Sequence, residues 1–155
     1  MKADFVVDLS YGDSGKGKIT YCLLKENSYT HCVRGQGGMN CGHSIYHDGQ
    51  KLITHSIPSG IILGIKSIIG PGCVVHFPSF KKELEELIKI GCNESLIKVS
   101  KNAHIITSSH LEEDGKDIRI GTTKRGNGPA YRDKYARVGL RAENTLEFKP
   151  YLVDF

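Results

Sequence analysis

No tryptophan occurs in the 155 residues, and methionine appears only twice. Long apolar runs are missing as well. None approaches the roughly 18 residues that a membrane-spanning helix needs. The five cysteines (Cys22, Cys32, Cys41, Cys73, Cys92) are odd in number and form no Cys-x-x-Cys pair. That argues against a disulfide framework or a zinc knuckle, and for reduced thiols in a cytosolic protein. A strong excess of either charge is missing too. A net charge of +4 suits anionic ligands but is too small to imply nucleic acid. The N-terminus, MKADFVVDLS, carries an acid before its apolar run and lacks a small-residue cleavage site, so it reads as a first strand rather than a signal peptide. No internal repeat or low-complexity tract is visible. The length suits one domain with a real core.

Glycine is what the chain has in plenty, 18 in all, and many fall in three clusters. The chain between them alternates strand and helix signals. DFVVDL (4–9) is expected to be a buried strand. KGKITYCLLKEN (16–27) follows as a helix, with Ile19, Cys22, Leu23 and Leu24 toward a sheet. THCVRG (30–35) reads as a second strand. Residues 44–57 read as a hairpin turning at Asp48-Gly49. Residues 66–77 give one or two short buried strands broken at Gly70-Pro71-Gly72. FPSFKKELEELIKIG (77–91) is the clearest helix. Its stripe is Phe80, Leu84, Leu87 and Ile88, its charges form a solvated face, and Gly91 ends it. SLIKVS (95–100) and AHIIT (103–107) read as strands or their remnants. The expected fold class is α/β. A largely parallel or mixed sheet carries flanking helices, and a P-loop-like strand, loop and helix come first.

The first glycine cluster is GDSGKGK (12–18). It nearly matches a P-loop, but Ile19 stands where a magnesium-binding Ser or Thr belongs, and Asp13 sits inside the loop. Close-approaching backbone N–H groups and a helix N-terminus suit an anion, and Lys16 and Lys18 can pair with phosphate. Asp13 would repel phosphate unless it binds magnesium or takes a proton from the substrate. An ordinary P-loop NTPase is disfavoured by Ile19. The second cluster, RGQGGMNCGHS (34–44), can aim Asn40 and His43, with His43 the candidate general acid. The other six histidines are left as structural or surface residues. The third is GTTKRGNGPAYRDKYARVGLR (121–141), a glycine-rich loop running into a basic helix. From Arg119 to Arg141 there are seven basic residues and one acid, Asp133. A solvated face or a short nucleic-acid patch on one hand, and a set of cations completing an anion site on the other, are about equally open readings.

Taken together, YGDSGKGK, QGGMNCGHS, IPSGI and GTTKRGNGPAYRDKYARVGLR resemble the motifs of adenylosuccinate synthetase in order and spacing. The resemblance spans residues 4–141. It implies the N-terminal portion, residues 1–155, of a single synthetase domain that is incomplete relative to the full family domain. It also implies a magnesium-dependent ligase of purine nucleotide biosynthesis that joins IMP and L-aspartate at the expense of GTP, cytoplasmic and homodimeric. Asp13 would be the base and a magnesium ligand, and His43 the acid. Gly12, Asp13, Ser14, Gly15, Lys16, Gly17 and Lys18, with Gly42, His43 and Ser44, would meet GTP. Asp13 to Lys16, Asn40, Cys41, Gly42, His43 and Thr123 would meet IMP, and Arg137 the IMP of the other subunit. Gly42 would lend magnesium its carbonyl. Tyr11, Ser14, Asp8, Met39 and Cys41 depart from the family's usual residues. The VDLxxG lead-in is shared with a related phage type that uses dGMP, which is the alternative substrate; retention of Asp13 favours IMP. A non-catalytic nucleotide-binding module is the alternative from another class. Because the segments that read guanine and bind aspartate are not found, little activity is expected of this chain alone.

Overall fold

The computed structural model describes residues 2–10, 12, 14–117 and 121–155. The strand that organises it is β4 (Lys66–Val75), ten residues long and largely buried. On one side it pairs in parallel with β1 (His31–Gly37). On the other it changes partner along its length. Ser67–Ile69 pair with β5 (Ile97–Ser100), and Val74–Val75 pair with β6 (His104–Ile105), both in parallel. β7 (Leu152–Val153) adds to β5, again in parallel. Among the described residues this makes one sheet of five strands, with β2 (His43–His47) and β3 (Gln50–Thr54) as a separate antiparallel hairpin. The α/β class with a mainly parallel sheet is therefore as expected.

β4 runs on through Gly70-Pro71-Gly72, where a break in one or two short strands was expected. Proline has no N–H to give to a ladder. The pairing absorbs this with a register shift between Arg34 and Gln36 of β1. The glycines make room for it: a Cβ on Gly72 would lie 2.1 Å from the Gly35 carbonyl oxygen. β1 and β4 thus come closer than side chains would permit.

α2 (Phe77–Lys89) covers the sheet with Phe80, Leu84 and Leu87. Around them Ile57, Ile61, Ile69, Val75, Ile97, Val99, Phe148 and Tyr151 complete the main core. The helix ends as its sequence suggests. Gly91 takes a φ of 92°, Gly91 N–H donates to the Ile88 carbonyl, and Cys92 N–H to that of Leu87, which is the Schellman pattern. The stripe differs in one place. Ile88 is 40 % exposed, while Glu83 is buried. The charged residues of this helix are not all a solvated face.

Two other expectations fail. Residues 4–9 are not a buried strand. No strand pairs with them among the described residues, and Phe5 and Leu9 are 85 % and 99 % exposed. An apolar run becomes a strand only when a neighbour takes its backbone hydrogen bonds. α1 (Lys16–Glu26) forms, but it buries Gly17, Tyr21 and Leu24, spaced i, i+4, i+7, and leaves Ile19 exposed. α3 (Ser108–Lys116) was not anticipated. Thr107 and His110 close a reciprocal cap at its start, with histidine where Glu or Gln usually signals the motif. α4 (Asn127–Tyr135) follows from the third glycine cluster as expected. Among the described residues, no helix is long and apolar enough to cross a membrane.

Candidate functional site

α1 starts behind Gly15, which takes a φ of 76°, a conformation that suits glycine. Among the described residues no side chain caps this helix, and no acid stands in its first turn. Its first N–H groups form a positive helix end, a setting that suits an anion. Lys16, the first helical residue, pairs with Asp8, and its ammonium also reaches the Ser14 hydroxyl at 3.5 Å. Lys16, then Ser14 and the Ser10 amide, hold the Asp8 carboxyl well below the usual carboxylate range. Lys18 is exposed, as are Gly12 and Ser14. Asp13, the expected base, lies outside the described residues, as do Tyr11 and Arg119.

The second loop meets the first at one point. A Cβ on Gly17 would sit 2.5 Å from both Cβ and Cγ of His43. Only glycine at 17 lets the His43 ring lie against the first turn of α1. Burial, then the charges of Arg34, Lys16 and His55, push the His43 pKa down to about 4. The ring is therefore neutral at neutral pH. An incoming phosphate would offset those positive charges and favour protonation.

From beneath, the second loop is tied to the sheet and to α4. Arg34 donates to the Gly38 carbonyl at 2.8 Å and to Cys41 Sγ at 2.9 Å. The Gly37 amide donates to the Tyr131 hydroxyl at 2.7 Å, which donates to the Gly72 carbonyl at 3.0 Å. Arg125 donates to the Met39 carbonyl at 2.6 Å. Asn127 Oδ1 lies 2.6 Å from where a Cβ on Gly38 would stand. The third glycine cluster thus buttresses the second.

Much of its positive charge is spent inside the protein. Arg132 pairs with Glu113 and Asp133, Lys134 donates to the Pro71 carbonyl at 2.6 Å, and Arg141 reaches Asn102 and Glu143. Neither a purely solvated face nor a set of cations wholly free for a ligand describes this helix. Thr123 and Arg137 lie exposed, on the turn before α4 and just after it. Asn40, Gly42 and Ser44 are exposed beside His43.

His55 was passed over in the sequence. Its Nδ1 donates to the Cys41 carbonyl at 2.9 Å, and its ring stands 3.3 Å from where a Cβ on Gly42 would be. The sequence signal was its place beside the IPSG motif, directly after a hairpin whose other strand begins at His43.

This geometry defines an α/β protein with two glycine-rich loops, one at a helix N-terminus and one carrying a histidine, that meet at Gly17 and His43. The sequence profile of adenylosuccinate synthetase matches residues 5–152, and the chain belongs to that family. It is 44 % identical to the adenylosuccinate synthetase of Phytophthora infestans, over 96 % of this chain and 28 % of that protein. It is 43 % identical to that of Brevibacillus brevis, over 95 % and 36 %. The chain therefore spans about a third of the length of the curated relatives it matches. Among solved structures, fully ligated adenylosuccinate synthetase from Plasmodium falciparum superposes with a TM-score of 0.71 at 36 % identity, over 88 % of this chain and 33 % of that one. A cyanophage S-2L succinoaminodeoxyadenylate synthetase gives 0.73 at 23 % identity, over 96 % and 44 %. That second likeness shows the fold alone.

Proposed function

We propose that this chain supplies the phosphate loops and both proton-handling side chains of a synthetase that makes adenylosuccinate from IMP, L-aspartate and GTP. The observation that carries the reading is the packing of His43 against Gly17. It joins the helix N-terminus, suited to nucleotide phosphates, to a loop histidine that can act as an acid. In the proposed sequence Asp13 takes the N1 proton of IMP, which makes O6 the nucleophile toward the γ-phosphorus of GTP. The γ-phosphoryl group passes to O6, and GDP leaves. The aspartate amine then displaces phosphate at C6. Lys16, the N–H groups opening α1 and the His43 ring stabilise the transferring group. Lys16 can do so by exchanging Asp8 for phosphate oxygens.

Magnesium is the metal proposed here, and it would need few protein donors. Among the described residues no group of three His, Cys, Asp or Glu side chains is placed to hold a metal. Magnesium commonly takes one or two carboxylates plus substrate phosphates rather than an all-protein cage. Asp13 and the Gly42 carbonyl would hold it, and once bound it would neutralise charge on the phosphates. Thr123 would meet the IMP phosphate, and Arg137 the IMP of a second copy in a homodimer.

The experiment grafts residues 5–152 in place of the matching segment of the Brevibacillus relative and follows adenylosuccinate formation. Turnover is expected with IMP and to be much weaker with dGMP. Asp13→Ala or His43→Ala is expected to lower kcat by a factor on the order of 100 or more. Wild-type rates in either variant would remove the assigned roles. A preference for dGMP would move the substrate to the phage type.

A further inference from the structure

Among the described residues the chemistry above leaves two buried carboxylates unused, Glu83 and Asp114. Asp114 accepts from the Gly126 amide at 2.8 Å at the start of α4. Glu83 stands on the sheet-facing side of α2, beside Phe80, Leu84 and Leu87. A carboxylate is costly in such a place unless its oxygens are satisfied. They are. Oε1 accepts from the backbone N–H of His55 at 2.7 Å and of Ile57 at 3.1 Å, and Oε2 accepts from that of Ser56 at 2.8 Å. Three successive amides converge on one side chain, an anion cradle of the kind that backbone turns build for ligands. Here the protein's own carboxylate fills it.

What the cradle holds still is His55. β3 ends at Thr54, opposite His43 on the hairpin, and the cradle begins at the next residue. From there the His55 imidazole reaches back, donating from Nδ1 to the Cys41 carbonyl at 2.9 Å. Its ring lies along Gly42. A continuous set of contacts runs from α2, through three amides and one imidazole, to the backbone just before His43. The hairpin fixes His43 from one side, and this tether fixes it from the other.

We propose that Glu83 is a positioning residue for the second loop. It acts through His55 to set the Cys41–Gly42 backbone and, with it, the direction of the Gly42 carbonyl and the His43 ring. The consequence for catalysis rests on the roles given above to Gly42 and His43; the tether itself does not.

The test uses the 155-residue chain, labelled with nitrogen-15, at one fixed pH near neutrality. Amide hydrogen exchange and the affinity for IMP are measured in Glu83→Gln, His55→Ala, His55→Gln and the double variant Glu83→Gln/His55→Ala. Glu83→Gln keeps the shape but turns one acceptor into a donor facing the Ser56 amide. It is expected to speed exchange at 55–57 by about tenfold or more and to speed Gly42 and His43 with them. His55→Ala is expected to speed Gly42 and His43 while leaving 55–57 protected. The double variant should be no faster at Gly42 and His43 than His55→Ala alone, since both cut one tether. His55→Gln, whose amide can still donate to the Cys41 carbonyl, should restore protection there. IMP affinity should fall in the first two variants and recover in the third.

Unchanged exchange at Gly42 and His43 in both single variants would overturn the proposal. So would acceleration spread equally over the β4 amides, which would mark plain destabilisation. If Glu83→Gln does not fold, the His55→Ala and His55→Gln pair still decides whether the tether exists. If the wild-type chain does not bind IMP, the substrate reading fails, while the exchange pattern continues to decide the role of Glu83.

Discussion

The two glycine-rich loops that share the site are built very differently. The second, at residues 34–44, is tied on every side: by β1 pairing with β4, by Arg34, by Tyr131 and Arg125 from the third cluster, and by His55. The first follows residues 4–9, which pair with no strand among the described residues and expose Phe5, Val7 and Leu9. Its described part is held chiefly by the Asp8–Lys16 pair and by the start of α1. The difference lies in who supplies the backbone partners. The second loop finds them in β4, α4 and the hairpin, whereas the lead-in to the first pairs with no strand among the described residues.

The largest expected contrast is in hydrogen exchange. Amides of 4–9 should exchange with almost no protection, while those of β4 should approach the protection of global unfolding. Comparable protection in the two would erase the distinction. Next in size is removal of the support beneath the second loop. Phe80 is fully buried among Phe77, Phe148 and Tyr151. Phe80→Ala should cost about 3–5 kcal/mol, read as a shift of the urea midpoint, and should free the amides of 55–57 along with the core. A loss within experimental error would show that α2 does not carry that loop.

Gly17→Ala probes the junction of the two loops. The added methyl group collides with the His43 ring, so overpacking should cost about 1–3 kcal/mol and displace the His43 ring resonances. An unmoved ring would mean that the loops do not touch in solution. The smallest effect concerns pH. Burial lowers the pKa of His76, and burial followed by the charge of Lys134 lowers that of His104. Both fold in the neutral form, so the unfolded chain binds more protons below its ordinary value of 6.5. Stability is then fully present above pH 6.5 and falls as the pH drops through that value. The His43 ring, lowered to about 4, acts in the same direction. Urea midpoints at pH 7.5 and 5.5 check this, and His76→Asn should reduce the difference without removing it. A midpoint that rises on acidification would contradict it.

Much of this was legible in the sequence. Asp48-Gly49 turns the hairpin with positive φ at both residues. α2 ends at Gly91, and the three glycine clusters mark the site. Periodicity and turn chemistry are local, so they survive reading in one dimension. What was not legible depends on partners. The run 4–9 carries every mark of a strand, but a strand is a relation between two segments. Glu83 looks like any helix surface charge, because its partners are backbone amides 26 to 28 residues away. His55 bonds a carbonyl, which leaves no trace in residue type. Pro71 looked like a break, although it sits in a bulge of β4, where Gly70 and Pro71 stand against Gly35 of β1 and the strand continues past them.

If the two loops form one phosphate site around the Gly17–His43 junction, GTP with magnesium must perturb both at once in the nitrogen-15-labelled chain. The amides of Gly15 to Lys18 and of Asn40 to Ser44 are expected to shift together along one saturation curve. Shifts confined to the first loop, with Asn40 to Ser44 unmoved at saturation, would contradict it.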